Sequence, residues 1–348
     1  MPAATRRTSG RPTLRDVAAL AGVSLKTASR VVNDEGGVTE AKTEAVRTAV
    51  RQLDYRRNYS ASSLRRADGR TAAVGALLED LANPFSAEVY RALEDVSRER
   101  GSLVFAASLD EDPRQERAMV RELTGRRVDA LVIAPATEHQ GYLEQEVADG
   151  TPVVFVDRRP TGFDADAVVA GNTEGAHTAV DHLVAHGHRR IAFLGDLQRI
   201  PTAAERYNGY AAAMANHGLV VDAALVHHDL HGQAPCDTAV ARLLDDLPPD
   251  RQPTALFTAQ NVITVAAVRG LQARGREREV ALVGFDDFPL AELVRPGITV
   301  IAQDPRAIGL RAAQILFARR DGDTSPSRVE VIETRLVQRG TGEIRAPR

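Results

Sequence analysis

Between Thr13 and Asn33 the chain carries side chains suited to reading a nucleic-acid duplex. Leu25 can touch a thymine methyl, and Lys26 or Arg30 can bond the acceptor edge of guanine. Ser24, Thr27 and Asn33 supply the short hydroxyls and amide that hold phosphate oxygens. Thr13 and Ser29 complete this candidate contact set. A second group is spread over the rest of the sequence: Asp80, Asn83, Phe85, Asp157, Arg206, Gln260 and Asp286. Its carboxylates and amides can accept bonds from the hydroxyls of a polar solute. Phe85 offers either a ring face for a sugar or a core side chain. Arg206 is either a donor in a cleft or a helix-start arginine beside an acidic neighbour.

The first group needs a helix to align it. Thr13 can cap a short helix with Asp16 at its third position, and Leu14, Val17, Ala18 and Ala21 form one apolar face. Gly22 breaks that helix, as a tight helix-helix turn requires. Ser24 can cap a second helix from about 25 to 32. Its inner stripe is Ala28, Val31 and Val32, and Leu25, Lys26, Ser29 and Arg30 face outward. A third helix follows Val38 with Thr39 as cap and Ala41, Ala45, Val46, Ala49, Val50 and Leu53 inside. Such a helix-turn-helix presents the start of its second helix to a major groove. The plainer alternative is a three-helix domain whose polar faces are only solvated.

The charge distribution fits the first alternative, and it equally fits a solvated basic arm. Residues 1–70 hold 14 basic and 7 acidic side chains, against 30 and 40 in the remainder. A basic segment on an acidic body is the electrostatic footprint of a nucleic-acid module. No run of about 18 apolar residues is present, so no membrane span is expected. The arginines near the N-terminus precede no apolar stretch, so no secretory signal is expected. Cys236 is the lone cysteine, which fits a reducing cytoplasm. His182, His186 and His188 flank a helix end, and no metal site is expected from them.

The second group needs a sheet. From Ala72 short apolar runs alternate with amphipathic helices: 72–78, 102–108, 130–135 and 152–157, then 190–195, 254–259 and 280–286. This alternation predicts parallel sheets covered by helices, in two similar lobes. Ligands of such folds bind beyond the carboxyl ends of the strands, hence in a cleft between lobes. The candidate polar residues follow those ends.

The run TLRDVAALAGVSLKTASRVVN (13–33) resembles the headpiece of the LacI family of bacterial regulators, with Ala28 where valine is frequent. The resemblance implies base-reading roles for Leu25, Lys26 and Arg30. It also implies a hinge at 58–71 that folds in the minor groove of operator DNA. There Leu64 would wedge into a base step, with Ala61 one turn earlier and Asn58 opening the segment. Ser62 departs from the usual arginine. NPF (83–85), RRVDALVIAP (126–135), PVVFVDR (152–158), HLVAHGHRRIAFLG (182–195), ERYNGY (205–210) and VGFDDF (283–288) are similar to the family's effector domain. That fold is shared with periplasmic sugar-binding proteins. By matched position Phe85, Asp157, Arg206, Gln260 and Asp286 would line the effector pocket. Gln260-Asn261 replaces the usual Asn-Asp, and Leu230 stands where some members place an aromatic ring.

The expected architecture is therefore an all-α helix-turn-helix headpiece (1–57), the hinge (58–71), and an α/β periplasmic-binding-protein-like effector domain (72–340) of two parallel-sheet lobes. The resemblance places lobe crossings near 161, 302 and 325. The first lobe would hold 72–160 and 303–322, and the second 161–302 and 326–340. The tail lacks leucine heptads, so no tetramerisation coiled coil is expected. The expected partners are double-stranded operator DNA, a small-molecule effector such as a sugar, and a second copy in a homodimer. No cofactor is expected. An enzyme is the competing class, but no GxGxxG, GxxxxGK[ST], GxSxG or HExxH motif occurs. A transport solute-binding protein would leave the headpiece without purpose.

Overall fold

The computed structural model describes residues 12–55 and 71–347. Asn58, Ala61 and Leu64 lie outside them. The chain divides into two compact units, Met1–Thr71 and Ala72–Arg348.

In the first unit, α1 (Leu14–Leu20) opens on a reciprocal cap. The Thr13 amide donates to the Asp16 carboxylate at 2.7 Å, and the Asp16 amide donates back to the Thr13 hydroxyl. Those bonds hold the Asp16 carboxyl below its usual range. Gly22 takes the left-handed conformation in the turn, with φ 63°, which costs glycine little. Helix α2 (Leu25–Val32) is capped by Ser24, which accepts from the Thr27 amide at 3.1 Å. Helix α3 (Glu40–Leu53) starts at Thr39, but the Thr39 side chain makes no capping bond. Val17, Ala18, Ala28, Val46 and Ala49 form the core. Ala41, expected on the core face, is exposed. Val46 and Ala49 already close this small core, so the first turn of α3 stays solvated.

In the second unit, β1 (Ala73–Leu78), β2 (Leu103–Ser108), β3 (Ala130–Ile133), β4 (Val153–Val156), β5 (Asp166–Ala170) and β11 (Val329–Ile332) form one parallel sheet. Its order is β11-β5-β4-β3-β1-β2. Alternate residues of β1 feed opposite cores. Val74, Ala76 and Leu78 pack toward α4 (Pro84–Glu99) and α11 (Pro305–Arg320). Ala73 and Leu77 pack toward α5 (Pro113–Gly125). The short α6 (Glu144–Ala148) follows β3, and its Glu146 accepts from Thr124 of α5 at 3.2 Å.

The second sheet has the order β12-β10-β9-β8-β6-β7. It contains β6 (Ile191–Leu194), β7 (Val226–His227), β8 (Ala255–Thr258), β9 (Ala281–Phe285) and β10 (Thr299–Ala302), with β12 (Arg335–Val337) antiparallel at the edge. Helices α7 (Asn172–Ala185) and α8 (Pro201–Asn216) cover one face. Helices α9 (Gln233–Ala241) and α10 (Asn261–Gln272) cover the other.

Two expected crossings shift. Strands β5 and β11 both belong to the first sheet, so the chain leaves that lobe after Ala170, not near 161, and makes its last crossing between Ile332 and Arg335, not near 325. The middle crossing falls between β10 and α11, next to the expected position. Parallel neighbours usually need a helical crossover. Here residues 157–165 join β4 to β5 without a helix, so the strand-helix rhythm gives no warning of β5.

Each lobe packs a helix pair through a glycine. A Cβ at Gly309 of α11 would stand 2.4 Å from the Val89 carbonyl of α4. One at Gly209 of α8 would stand 2.3 Å from the Thr173 carbonyl of α7. Backbone cannot yield as a side chain can, so Gly309→Ala should cost about 1–3 kcal/mol. Thermal unfolding checks this: the variant melts below the parent, and an unchanged Tm would contradict the close helix contact.

Candidate functional site

The exposed start of α2 forms one candidate surface. Leu25 is 39% exposed although apolar, and Lys26 is exposed beside it. Ser24 is occupied by its cap and lies 2.9 Å from the Thr27 hydroxyl. Thr13 is likewise held in the cap of α1. Thr27, Ser29, Arg30 and Asn33 are half-buried. Arg30 donates to the Gly36 carbonyl at 2.6 Å. The Asn33 amide donates to Glu35 at 3.1 Å and to Ser29 at 3.4 Å. Leu25 and Lys26 thus project from the helix, whereas Arg30 and Asn33 brace the turn after it. An exposed bond of that kind is worth about 1 kcal/mol net, so a phosphate or base edge can compete for either side chain.

In the second unit the polar residues converge at the strand ends. Arg206, on α8 and 5% exposed, is the centre of the second-lobe wall. It donates to Asn172 Oδ1 at 2.9 Å and to the Ala259 carbonyl at 2.7 Å, and stands 3.5 Å from Asp286. Its guanidinium carbon lies 4.0 Å from the centre of the Phe285 ring, a cation-π distance. Asp286 in turn accepts from Gln303 at 2.6 Å.

Asp157 and Asp286 occupy matching places after β4 and β9. Each adopts a left-handed backbone, with φ 67° and 71°, a conformation that aspartate tolerates better than most residues. Each amide donates to the neighbouring strand, to Val168 and Ile301 respectively. Asp157 faces Arg158 Nε at 3.2 Å. Burial pushes its carboxyl up, against the pull of Arg158 and Arg206. Arg158 forks onto Glu111 and also donates to the Pro135 carbonyl at 2.9 Å. Burial, reinforced by the Glu111 charge, pushes the nearby Glu79 carboxyl up to about 8.

Two polar clasps join the lobes. The Asn261 amide donates to Asn83 Oδ1 at 2.9 Å, and Arg199 donates to the Glu111 carbonyl at 3.0 Å. Asn83 also caps α4 through the Phe85 amide. Asn261 Oδ1 and Gln303 Oε1 are buried with no hydrogen-bond partner. The remaining candidates are less involved. Asp80 accepts from the Ala82 amide at 2.8 Å and shapes its own turn. Phe85 packs against the first-lobe core. Gln260 is half-buried at the start of α10 and makes no cap.

Asn172, Gln303 and the Arg158–Glu111 pair were not singled out in the sequence. Gln303 follows β10, a run not read as a strand. Arg158 and Glu111 lie 47 positions apart, so no spacing links them. Asn261 was visible only as a departure beside Gln260. Two features have plain structural uses. Cys236 is buried and donates to backbone carbonyls, and burial pushes its thiol up to about 11. His182 meets Glu343 at 2.7 Å, and His188 meets Thr254 and the Ile344 carbonyl, so both fasten the C-terminal segment. Among the described residues no helix is long and apolar enough to cross a membrane.

A helix-turn-helix unit attached to a two-lobed binding-protein fold is the architecture of a ligand-responsive regulator. Residues 13–58 match the family model for bacterial regulatory proteins of the lacI family, and residues 180–341 match that of the periplasmic binding protein-like domain. The HTH-type transcriptional regulator PtxS of Pseudomonas plecoglossicida is 33% identical over 340 residues, covering 96% of this chain and 97% of its own. A solved complex of the transcriptional regulator CelR with cellobiose shares 31% identity at TM-score 0.69, covering 95% and 100%. The Lac repressor dimer bound to operator and the anti-inducer ONPF has the same fold, at TM-score 0.82 and 24% identity over 96% and 99%. The chain belongs to the LacI family: it is a DNA-binding transcriptional regulator and not an enzyme.

The raised Glu79 carboxyl has a consequence for stability. In the folded protein Glu79 keeps its proton up to about pH 8, whereas an unfolded chain releases it near the ordinary carboxyl value. Folding then binds a proton between those limits, and stability falls as pH rises through that window. Glu79→Gln should therefore raise Tm more at pH 8 than at pH 5. An equal effect at both pH values, read by thermal denaturation, would contradict the shift.

Proposed function

We propose that the protein binds a pseudo-palindromic operator as a homodimer and represses transcription, and that a small polyhydroxylated effector in the inter-lobe cleft sets its operator affinity. The observation that carries the effector reading is the pair of unpaired buried amide oxygens, on Gln303, whose amide donates to Asp286, and on Asn261, whose amide donates across the cleft to Asn83. A buried acceptor left unpaired costs about 1–3 kcal/mol. Hydroxyl donors would satisfy both, and the Asp157 and Asp286 carboxylates can accept in return. The cellobiose named with CelR and the anti-inducer named with the Lac repressor support the same reading.

The homodimer rests on exposed apolar residues and on the dimer named for the Lac repressor. Leu103 and Phe105 on edge strand β2 are 69% and 49% exposed, and Leu290 and Leu293 of the second lobe are 66% and 62% exposed. Such side chains suit burial against a second copy. Leu25, Lys26 and, once released, Arg30 read base edges. Ser24, Thr27, Ser29 and Asn33, with the helix start at Thr13, hold the backbone. Asn58, Ala61 and Leu64 form the minor-groove hinge that the family pattern implies.

Coupling follows if the effector prefers one angle between the lobes, because a ligand shifts an equilibrium only through differential affinity. Lys26→Ala should weaken specific operator binding about tenfold or more, a loss of about 1–3 kcal/mol for a base-edge contact. Leu64→Ala should weaken specific binding while effector binding persists. Mobility-shift titration reads both, and parent-like affinity would remove the role assigned to the residue. Operator affinity that stays constant under saturating effector would overturn the regulatory reading.

A further inference from the structure

Beyond a polyol, we infer that the effector carries an anionic group, a carboxylate or a phosphate, held in the arginine-lined mouth of the cleft. This rests on the effector reading above and narrows its ligand to an acidic or phosphorylated sugar.

A cavity of about 720 Å³ opens at the carboxyl ends of the strands. Arg117, Arg158 and Arg159 line it from the first lobe, and Arg199 lines it from the second. Its acidic lining residues are Glu111 and Glu138, and the Asp157 carboxylate stands 3.2 Å from Arg158, so the arginines still outnumber the carboxylates. Glu111 is already spent on the Arg158 fork. Arg117 is exposed and stands over the Tyr142 ring, with its guanidinium carbon 5.4 Å from the centre. Arg199 reaches only the Glu111 main-chain oxygen at 3.0 Å, with the Glu111 carboxylate at 3.9 Å. Arg159 is exposed. Arg158 is 5% exposed, and its Nε makes no hydrogen bond despite the neighbouring Asp157 carboxylate.

A second feature points the same way. Ile200 and Pro201, at the start of the 16-residue α8, also line the cavity. No side chain caps that helix. Its first-turn amides have no intrahelical acceptor and sit at the positive end of the helix dipole. A neutral sugar leaves such amides and arginines without a charge partner, whereas an oxyanion satisfies both. The loop supplying Thr137 and Glu138 is fixed to α5 by the buried Glu116, which accepts from the Thr137 amide at 2.8 Å and from Tyr142. The first-lobe wall is therefore held by the protein's own hydrogen bonds.

The geometry also suggests what the anion does. Three arginines lie on one lobe, and Arg199 with the α8 start lies on the other. An anion held by both replaces the Arg199–Glu111 clasp with a bridge in which donor and acceptor are both charged. Ligand charge and lobe angle become coupled.

The test is calorimetric titration of the full-length protein at low salt with matched probes: D-glucose and cellobiose as neutral sugars, D-gluconate and D-glucuronate as carboxylates, D-glucose 6-phosphate as a phosphate ester, and inorganic phosphate. The expected result is binding of at least one sugar anion at least tenfold tighter than both neutral sugars and inorganic phosphate. Which anion binds separates carboxylate from phosphate. An Arg117→Gln/Arg159→Gln double variant, both surface positions, should lose about tenfold or more for that anion and keep the parent Tm. Neutral sugars binding as tightly as the anions, or a double variant binding the anion like the parent, would overturn the anionic inference and leave the effector reading standing. Inorganic phosphate matching the sugar anions would overturn it as well, since no polyol would be required. No binding by any sugar probe would overturn both.

Discussion

A guanidinium buried at the strand ends of the second lobe sets the conditions for everything around it. Removing the Arg206 charge from water is expensive unless several acceptors receive it. Asn172 at the start of α7, the Ala259 carbonyl after β8, and Asp286 after β9 do so, and the Phe285 ring covers one face. Three separate segments are thereby fixed in one geometry. Asp286 can hold its left-handed backbone and still orient Gln303. The wall of the cleft is rigid because its charges cannot be left unmet.

Across the cleft the contacts are of a different kind. The first lobe answers with its own buried pair, Arg158 on Glu111, and with Asp157 in the place that matches Asp286. Between the lobes stand the polar clasps Asn83–Asn261 and Arg199–Glu111. Each is worth about 1 kcal/mol net. On the proposed function, a ligand that prefers one lobe angle would shift these clasps, and coupling between distant sites requires a two-state element of that kind.

Much of this was legible in the sequence where the physics is local. The Thr13–Asp16 cap, the Gly22 turn, the Ser24 cap and the inward Ala28 follow from neighbours a few positions apart. The apolar runs that became β1, β2, β3, β4, β6, β8 and β9 were equally plain. Long-range arrangement was not. Strand β5 follows β4 without a helix, and β11 returns to the first sheet from the far end of the chain, so neither crossing follows from the strand-helix rhythm. Asn172 and Gln303 gain meaning only when the sheet brings them to Arg206 and Asp286. Arg30 and Asn33 carry the right chemistry for DNA, yet their hydrogen bonds run to the loop after α2. A sequence names a side chain's capabilities but not its current partner.

The central claim is that cleft and headpiece share one equilibrium, and thermodynamic reciprocity tests it most directly. Effector affinity of the full-length protein should be measured by calorimetry twice, free and saturated with operator duplex. The two effector affinities should differ by the same factor by which saturating effector changes operator affinity. Identical effector affinity in both states would contradict it.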